Sequence, residues 1–330
     1  MKARIDHSVC MVLLLAVPSL ASEPNQPAVG VRGHVGCLQG PHRVERLTIT
    51  RPGVYENYLI DGRWAKRDLV RIKADVVALR NCEVRNGCRD GIEVYAKDVR
   101  IENCHVHHLL AGTFAEQMDA HGITGRPTKL LVRNCEIDHV TGDAVQFDPG
   151  RKPWDDVRIE RCTFWTGLLA ADAAGFKKGQ RPGENALDTK NLARNPRSRV
   201  VVRDCLFHGW RDGQIGMMAA LNVKEHVQVT VERCLFRDNQ VCFRLRGPTG
   251  PRGGALVTIR DCAVYDSDIA VRTEDRIRDL TIRRLGIGKG VKRRVTRAGG
   301  GYGAGYVYEG EHVPPPFEKL RKEGFLKAAE

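Results

Sequence analysis

An all-β solenoid, a single right-handed parallel β-helix with non-repeating terminal caps, is the expectation from three features of this 330-residue sequence. Seven segments share one pattern: VALRNCEV, VRIENCHV, LLVRNCEI, VRIERCTF, VVVRDCLF, VTVERCLF and VTIRDCAV. Their cysteines are Cys82, Cys104, Cys135, Cys162, Cys205, Cys234 and Cys262, recurring every 22 to 43 residues. Period-two alternation marks each segment as a strand, and recurrence marks a repeat architecture. Composition agrees: 34 Gly, 15 Pro and 6% aromatics leave the 42% apolar share to Val, Ile, Leu, Ala and Cys, which suits short strands and turns. A helical bundle and a disordered chain are both excluded.

The elements follow in order. Lys2 and Arg4 precede an apolar run over 9–17 and then Ser19-Leu20-Ala21, which reads residues 1–21 as a secretory signal cleaved near Ala21. The expected product is secreted or periplasmic, and no other segment is a transmembrane candidate. Residues 22–43 form an N-terminal cap. The helix spans 44–285, each coil taking one strand through its cysteine and a second short strand beginning at Ile92, Ile123, Val145, Leu187, Ile215, Val241 or Ile269. Residues 286–330 make a C-terminal cap with a Gly-rich stretch over 299–305 and a helix over 317–329, because an open-ended stack needs its ends covered.

In an exported protein ten remaining cysteines would suggest a disulfide framework. Seven of them share one inward position, so they stack ~4.8 Å apart, wider than the roughly 3.8 Å between the Cβ atoms of a disulfide. A buried column of free thiols is expected. Cys37, Cys88 and Cys242 lie outside it.

The formal charge of +13 points to an acidic partner. The basic residues are scattered, without a Lys/Arg block interleaved with aromatics, which argues against nucleic acid. An acidic polysaccharide bound by a monomer, away from any membrane, is expected. The interval between column cysteine and second strand lengthens after Cys104 and after Cys162, so two loops, around 109–118 and 167–183, leave one corner of the solenoid and wall a groove. Between them lie Asp119-Ala-His121, Asp143-Ala-Val-Gln146-Phe-Asp148 and Glu184-Asn185-Ala-Leu-Asp188-Thr-Lys190. Aligned on the second strands, Gln146 and Asp188 share one outward position, Asp148 and Lys190 the next, with Met218, Arg244 and Arg272 in later coils. A plainer reading stands beside this: Asp90, His121, Asp143 and Asn185 all fall at turns, where Asp and Asn are favoured for local hydrogen bonds.

These residues resemble the site of the calcium-dependent β-helix polysaccharide lyases, above all family nine, within the pectate-lyase-like superfamily. The superfamily resemblance covers most of the mature chain; the family-nine match is short and gapped and lacks an adjacent Asp pair after position 143. It implies Ca2+ on oxygens of Asp119, Asp143, Asp148, Glu184 and Asp188, with Lys190 as catalytic base. Proton removal beside a uronate carboxylate needs that carboxylate neutralised, which a hard cation on oxygen ligands does, and a lysine base needs its pKa lowered. Arg244 is a second catalytic candidate. Arg126, Gln146, Lys177, Lys178 and Arg211 are candidates for holding neighbouring uronates, and Trp154, Trp165 and Trp210 for stacking on sugar rings. Two alternatives remain open. One is an inverting glycoside hydrolase, for which Asp148 and Asp188 stand about 8 Å apart, within the acid–base range. The other is a noncatalytic polysaccharide-binding solenoid. His105 and His107 face outward with a zinc-like spacing but lack a third ligand.

Overall fold

The structure, a computed structural model, describes residues 29–322 except 151, 248–252, 276, 278 and 299–304. The signal segment, the Gly-rich stretch except Gly305 and the end of the C-terminal helix lie outside the described residues. Within them the chain winds into three parallel sheets of ten strands each, and successive strands of one sheet come from successive coils. The fold is the expected single parallel β-helix. Among the described residues no helix is long and apolar enough to cross a membrane.

Each coil carries three strands, not two. In the Cys104 coil, Lys97–Glu102 lies in the third sheet, His105–Leu109 in the first and Ile123–Gly125 in the second. The segment read as one strand through the cysteine is therefore two, bent at the residue before it. That residue is left-handed in every repeat: Asn81, Asn103, Asn134, Arg161, Asp204, Arg233 and Asp261 have φ between 49° and 56°. Asn and Asp adopt this conformation more readily than other side chains, which accounts for the Asn/Asp-Cys signature. The asparagines also bond across coils, Asn134 Nδ2 to Asn103 Oδ1 at 2.9 Å and Asn103 Nδ2 to Asn81 Oδ1 at 3.1 Å.

The cysteines fill the corner beneath. All seven are buried and unpaired, and each thiol faces the carbonyl two residues back, at 3.1 Å for Cys82–Arg80 and 3.4 Å for Cys262–Arg260. A small side chain with a weak donor suits a corner where the ladder is interrupted. Inward columns of Val, Ile and Leu fill the rest, and Phe164, Phe207 and Phe236 stack with ring centroids 5.1 and 5.0 Å apart, close to the coil rise.

The termini differ from the expected caps. Residues 29–41 run along the side of the solenoid as a strap: Gly30 N donates to Asp204 O, Arg32 N to Asn134 Oδ1, Gly36 N to Asn103 O and Leu38 N to Asn57 Oδ1. The sheets continue past residue 285 through Arg293–Ala298 and Val307–Glu309. The helix Phe317–Lys322 packs Phe317 and Leu320 against Leu235, Ala263 and Tyr265, together with Val29 of the strap.

Candidate functional site

Outward positions of the second sheet form a continuous polar column: Thr124, Gln146, Asp188, Asn222, Arg244 and Arg272 are successive partners. The two loops meet above its middle. Leu110 packs with Leu169 and Phe176, and Gly183 N donates to Gln117 Oε1 at 3.1 Å, which joins the loops into one wall.

Asp188 is the centre of charge. Its side chain is 2% exposed, and its Oδ2 stands 3.2 Å from Lys190 Nζ and 3.1 Å from Lys224 Nζ. Lys190 Nζ also donates to Gln146 Oε1 at 3.0 Å and lies 3.4 Å from Asp148 Oδ1, while Gln146 Nε2 donates to Asp148 Oδ2 at 2.9 Å. Burial alone would lower the Lys190 pKa; the charges of Asp188, Asp148 and Asp143 outweigh it and hold the ammonium well above its ordinary value. The lysine is thus locked in its protonated form, opposite to the lowering a base requires.

Asp143 lies one coil back and is fully buried. Its Oδ1 accepts Asn185 Nδ2 at 2.8 Å, and its backbone N–H donates to His121 Nδ1 at 2.9 Å. The Gln146 amide nitrogen stands 3.0 Å from His121 Nε2. Burial, with the charges of Asp188 and Glu184, pushes the Asp143 carboxyl well above the carboxylate range. Burial, Asp188 and Asp119 likewise raise Glu184. Asp119 is exposed, 3.9 Å from His121 Nε2.

These acids suit a hard cation in donor type and charge. Asp143 Oδ2, Asp188 Oδ1 and Asn222 Oδ1 are buried oxygens without a hydrogen-bond partner among the described residues, and a bound Ca2+ would relieve the repulsion that adds to burial in raising Asp143 and Glu184. Their ligand atoms are not drawn together here: among the described residues, triads of ligand atoms within 4.8 Å of one another lie elsewhere.

Several expected residues sit differently. Trp154 and Trp210 are 0% exposed, so neither stacks on a sugar; Trp154 instead donates Nε1–H to the Lys190 carbonyl at 2.9 Å and fixes its backbone. Trp165 belongs to the first sheet, bonded to Glu136, away from the polar column. Arg211 is engaged by Asp238, Asp268 and Asp212 at 2.9, 3.2 and 3.1 Å, which leaves no free face for a uronate. Lys177 and Lys178 are exposed on the second loop, where Asp172 takes the Lys177 ammonium and the Lys178 N–H. Arg126 is exposed, with its guanidinium 5.6 Å from the Tyr95 ring centroid. Arg244 lies in the column two coils from Asp188, paired with Glu274 at 3.1 Å. The hydrolase pairing of Asp148 with Asp188 fails because both carboxylates bind one lysine and Asp188 is shut off from water.

Position 218 is corrected. The strand of that coil is Ala219–Val223, so Asn222 is the partner of Asp188 and Met218 is buried. The pattern Ala186-Leu187-Asp188-Thr189-Lys190 recurs as Ala220-Leu221-Asn222-Val223-Lys224, and this repeat was the signal for Lys224.

The structure resembles several solved carbohydrate-active proteins. An alginate lyase from Paenibacillus sp. str. FPU-7 aligns over 82% of this chain and 88% of its own at 13% identity and a TM-score of 0.47. The pectate lyase Pel9A aligns over 86% of this chain and 74% of its own at 13% identity and a TM-score of 0.50. The catalytic unit of a GH87 alpha-1,3-glucanase from Streptomyces thermodiastaticus strain HF3-3 aligns over 86% and 70% at 10% identity and a TM-score of 0.35. At these identities the likeness is one of fold. No match was found among curated proteins. The family model of the right handed beta helix region matches residues 69–239, half of the chain. With its three ten-stranded parallel sheets, the chain belongs to the right-handed β-helix family.

Proposed function

We propose that this chain is an exported lyase that cleaves an acidic, uronate-containing polysaccharide by β-elimination, with Lys190 as base and Ca2+ on the groove acids. The observation that carries the reading is Lys190 itself: an amine at the mouth of a buried carboxylate cluster, positioned by Gln146, Asp148, Asp188 and the Trp154 bond to its carbonyl. The pectate and alginate lyases named above support the substrate class, as does the net charge of +13.

Oxygens of Asp119, Asp143, Asp148, Glu184 and Asp188, joined by Asn222 Oδ1, would hold the cation. Bound there, Ca2+ supplies positive charge that neutralises the substrate carboxylate and offsets the acids now keeping Lys190 protonated. Lys190 Nζ, as the free amine, then accepts the C5 proton α to the uronate carboxylate. The electron pair left at C5 forms the C4–C5 double bond, the C4–O4 bond breaks with its pair on O4, and O4 takes a proton from water as the leaving chain departs. Lys224 stays on Asp188 throughout, so that buried carboxylate keeps a counter-charge when Lys190 loses its own. Arg126 and Arg244 would flank the chain along the column.

The protein, incubated with pectate, alginate and glycosaminoglycans with Ca2+ or with chelator, should generate the ultraviolet absorbance of an unsaturated uronate only with the metal. Lys190→Ala should abolish turnover by about a thousandfold or more, as expected for a lost general base; Lys224→Ala should lower it less. New reducing ends without absorbance would make the chain a hydrolase, and saturable binding without either product would make it a binding solenoid.

A further inference from the structure

The first sheet carries a second cluster of reactive side chains, on a face of the solenoid away from the polar column. His105 and His107 alternate outward from buried Val106, and His107 is the direct partner of Asp138 in the next coil. His108 and His139 are the left-handed residues that follow, with φ of 53° and 45°, and their rings stack 4.9 Å apart. Asp138 is 2% exposed; its Oδ2 meets His105 Nε2 at 2.7 Å and its Oδ1 meets His139 Nδ1 at 2.5 Å. His105 and His107 stack at 4.1 Å, and His107 Nδ1 faces His108 Nδ1 at 2.7 Å.

We propose that His105, His107 and Asp138 bind a divalent transition-metal ion of the class Zn2+ typifies. Their ligand atoms lie within 4.8 Å of one another, and a tetrahedral ion with bonds of roughly 2.0–2.1 Å needs only small side-chain shifts to join them. Donor type fits: two imidazoles and one carboxylate, with a fourth position open. His105 and His107 side chains are 28% and 14% exposed, so an ion reaches them, while the 3% exposed Asp138 supplies a buried anion. The carboxylate needs only two imidazoles for its hydrogen bonds, and His105 and His139 already provide them. His107 and His108 lie outside that pairing: they bond each other, and His107 Nε2 stands 3.4 Å from Glu83 Oε1. An ion here would tie two successive coils together. The site shares no residue with the groove and stands or falls independently of the lyase reading.

The test uses untagged, chelator-treated protein and Zn2+ in competition with a chromophoric chelator. One equivalent should bind at pH 7.5. His105→Ala and His107→Gln should each weaken binding by about a hundredfold or more, whereas Lys190→Ala should leave it unchanged. Thermal melts in chelator confirm that each variant folds. A readout on the unaltered chain adds to this: the Trp165 ring lies 4.7 Å from His139, so Cu2+ should quench its fluorescence in a saturable way that excess Zn2+ reverses. No saturable binding, or binding that the His105 and His107 variants leave intact, overturns the proposal.

Discussion

A carboxylate that is buried, satisfied on one oxygen and bare on the other makes Asp143 the clearest mark of function at the level of single residues. Its folded pKa lies well above the ordinary 3.8, so between those values the native state holds a proton that the unfolded chain has released. Stability is then lost as pH rises from about 4 through the folded pKa. Asp143→Asn keeps the bond to Asn185 and removes the ionisable group. Thermal melts should show the variant more stable by about 1 kcal/mol or more at pH 8, with the gain vanishing towards pH 4, while lyase turnover falls. A variant that melts lower at pH 8 would mean the acid is structural. The acids and Lys190 were legible as a group because the loop insertions bracketed them. Lys224 was not found, because the apolar Ile215 and Met217 drew the strand forward of its true start at Ala219. The burial of Trp154 and Trp210 was hidden for another reason: both stand between strands, where alternation assigns no side.

Among elements, the Asn/Asp-Cys corner decides how the coil closes. The sequence did carry a sign of it: inward Val99 and Ile101 are two apart, but the next inward residue is Cys104, three on. That slip of phase marks a bend, and counting alternation through it merges two strands into one. At Asn103 the corner combines a left-handed backbone with amide bonds to both neighbouring coils. Asn103→Ala loses both and should cost about 3–4 kcal/mol, from roughly 1–2 for the left-handed conformation and about 1 for each hydrogen bond. Asn103→Gly retains the backbone freedom and should cost less than the alanine variant. Urea unfolding of the pair separates the contributions, and a glycine variant no more stable than the alanine one would show that the ladder, not the backbone, holds the corner.

For the whole molecule, stacking makes stability local, since each coil is bounded only by its two neighbours. The strap over 29–41 works against that by bonding to the coils of Asn57, Asn103, Asn134 and Asp204 at once. The seven column cysteines, buried and free, report on this without any added probe. In the native protein a thiol reagent should reach the half-buried Cys37 and Cys88 and leave the column unmodified. As urea is raised below the global transition, a stack that frays from its ends should expose Cys262 before Cys135 and Cys162, which lie mid-stack beneath the strap. Mass spectrometry of alkylated peptides gives the order. Simultaneous modification of all seven would mean that the strap and the inward columns bind the coils into one cooperative unit. In that event removing residues 1–41 should restore stepwise exposure, because without the strap the coils between Asn57 and Asp204 are linked by neighbour contacts alone.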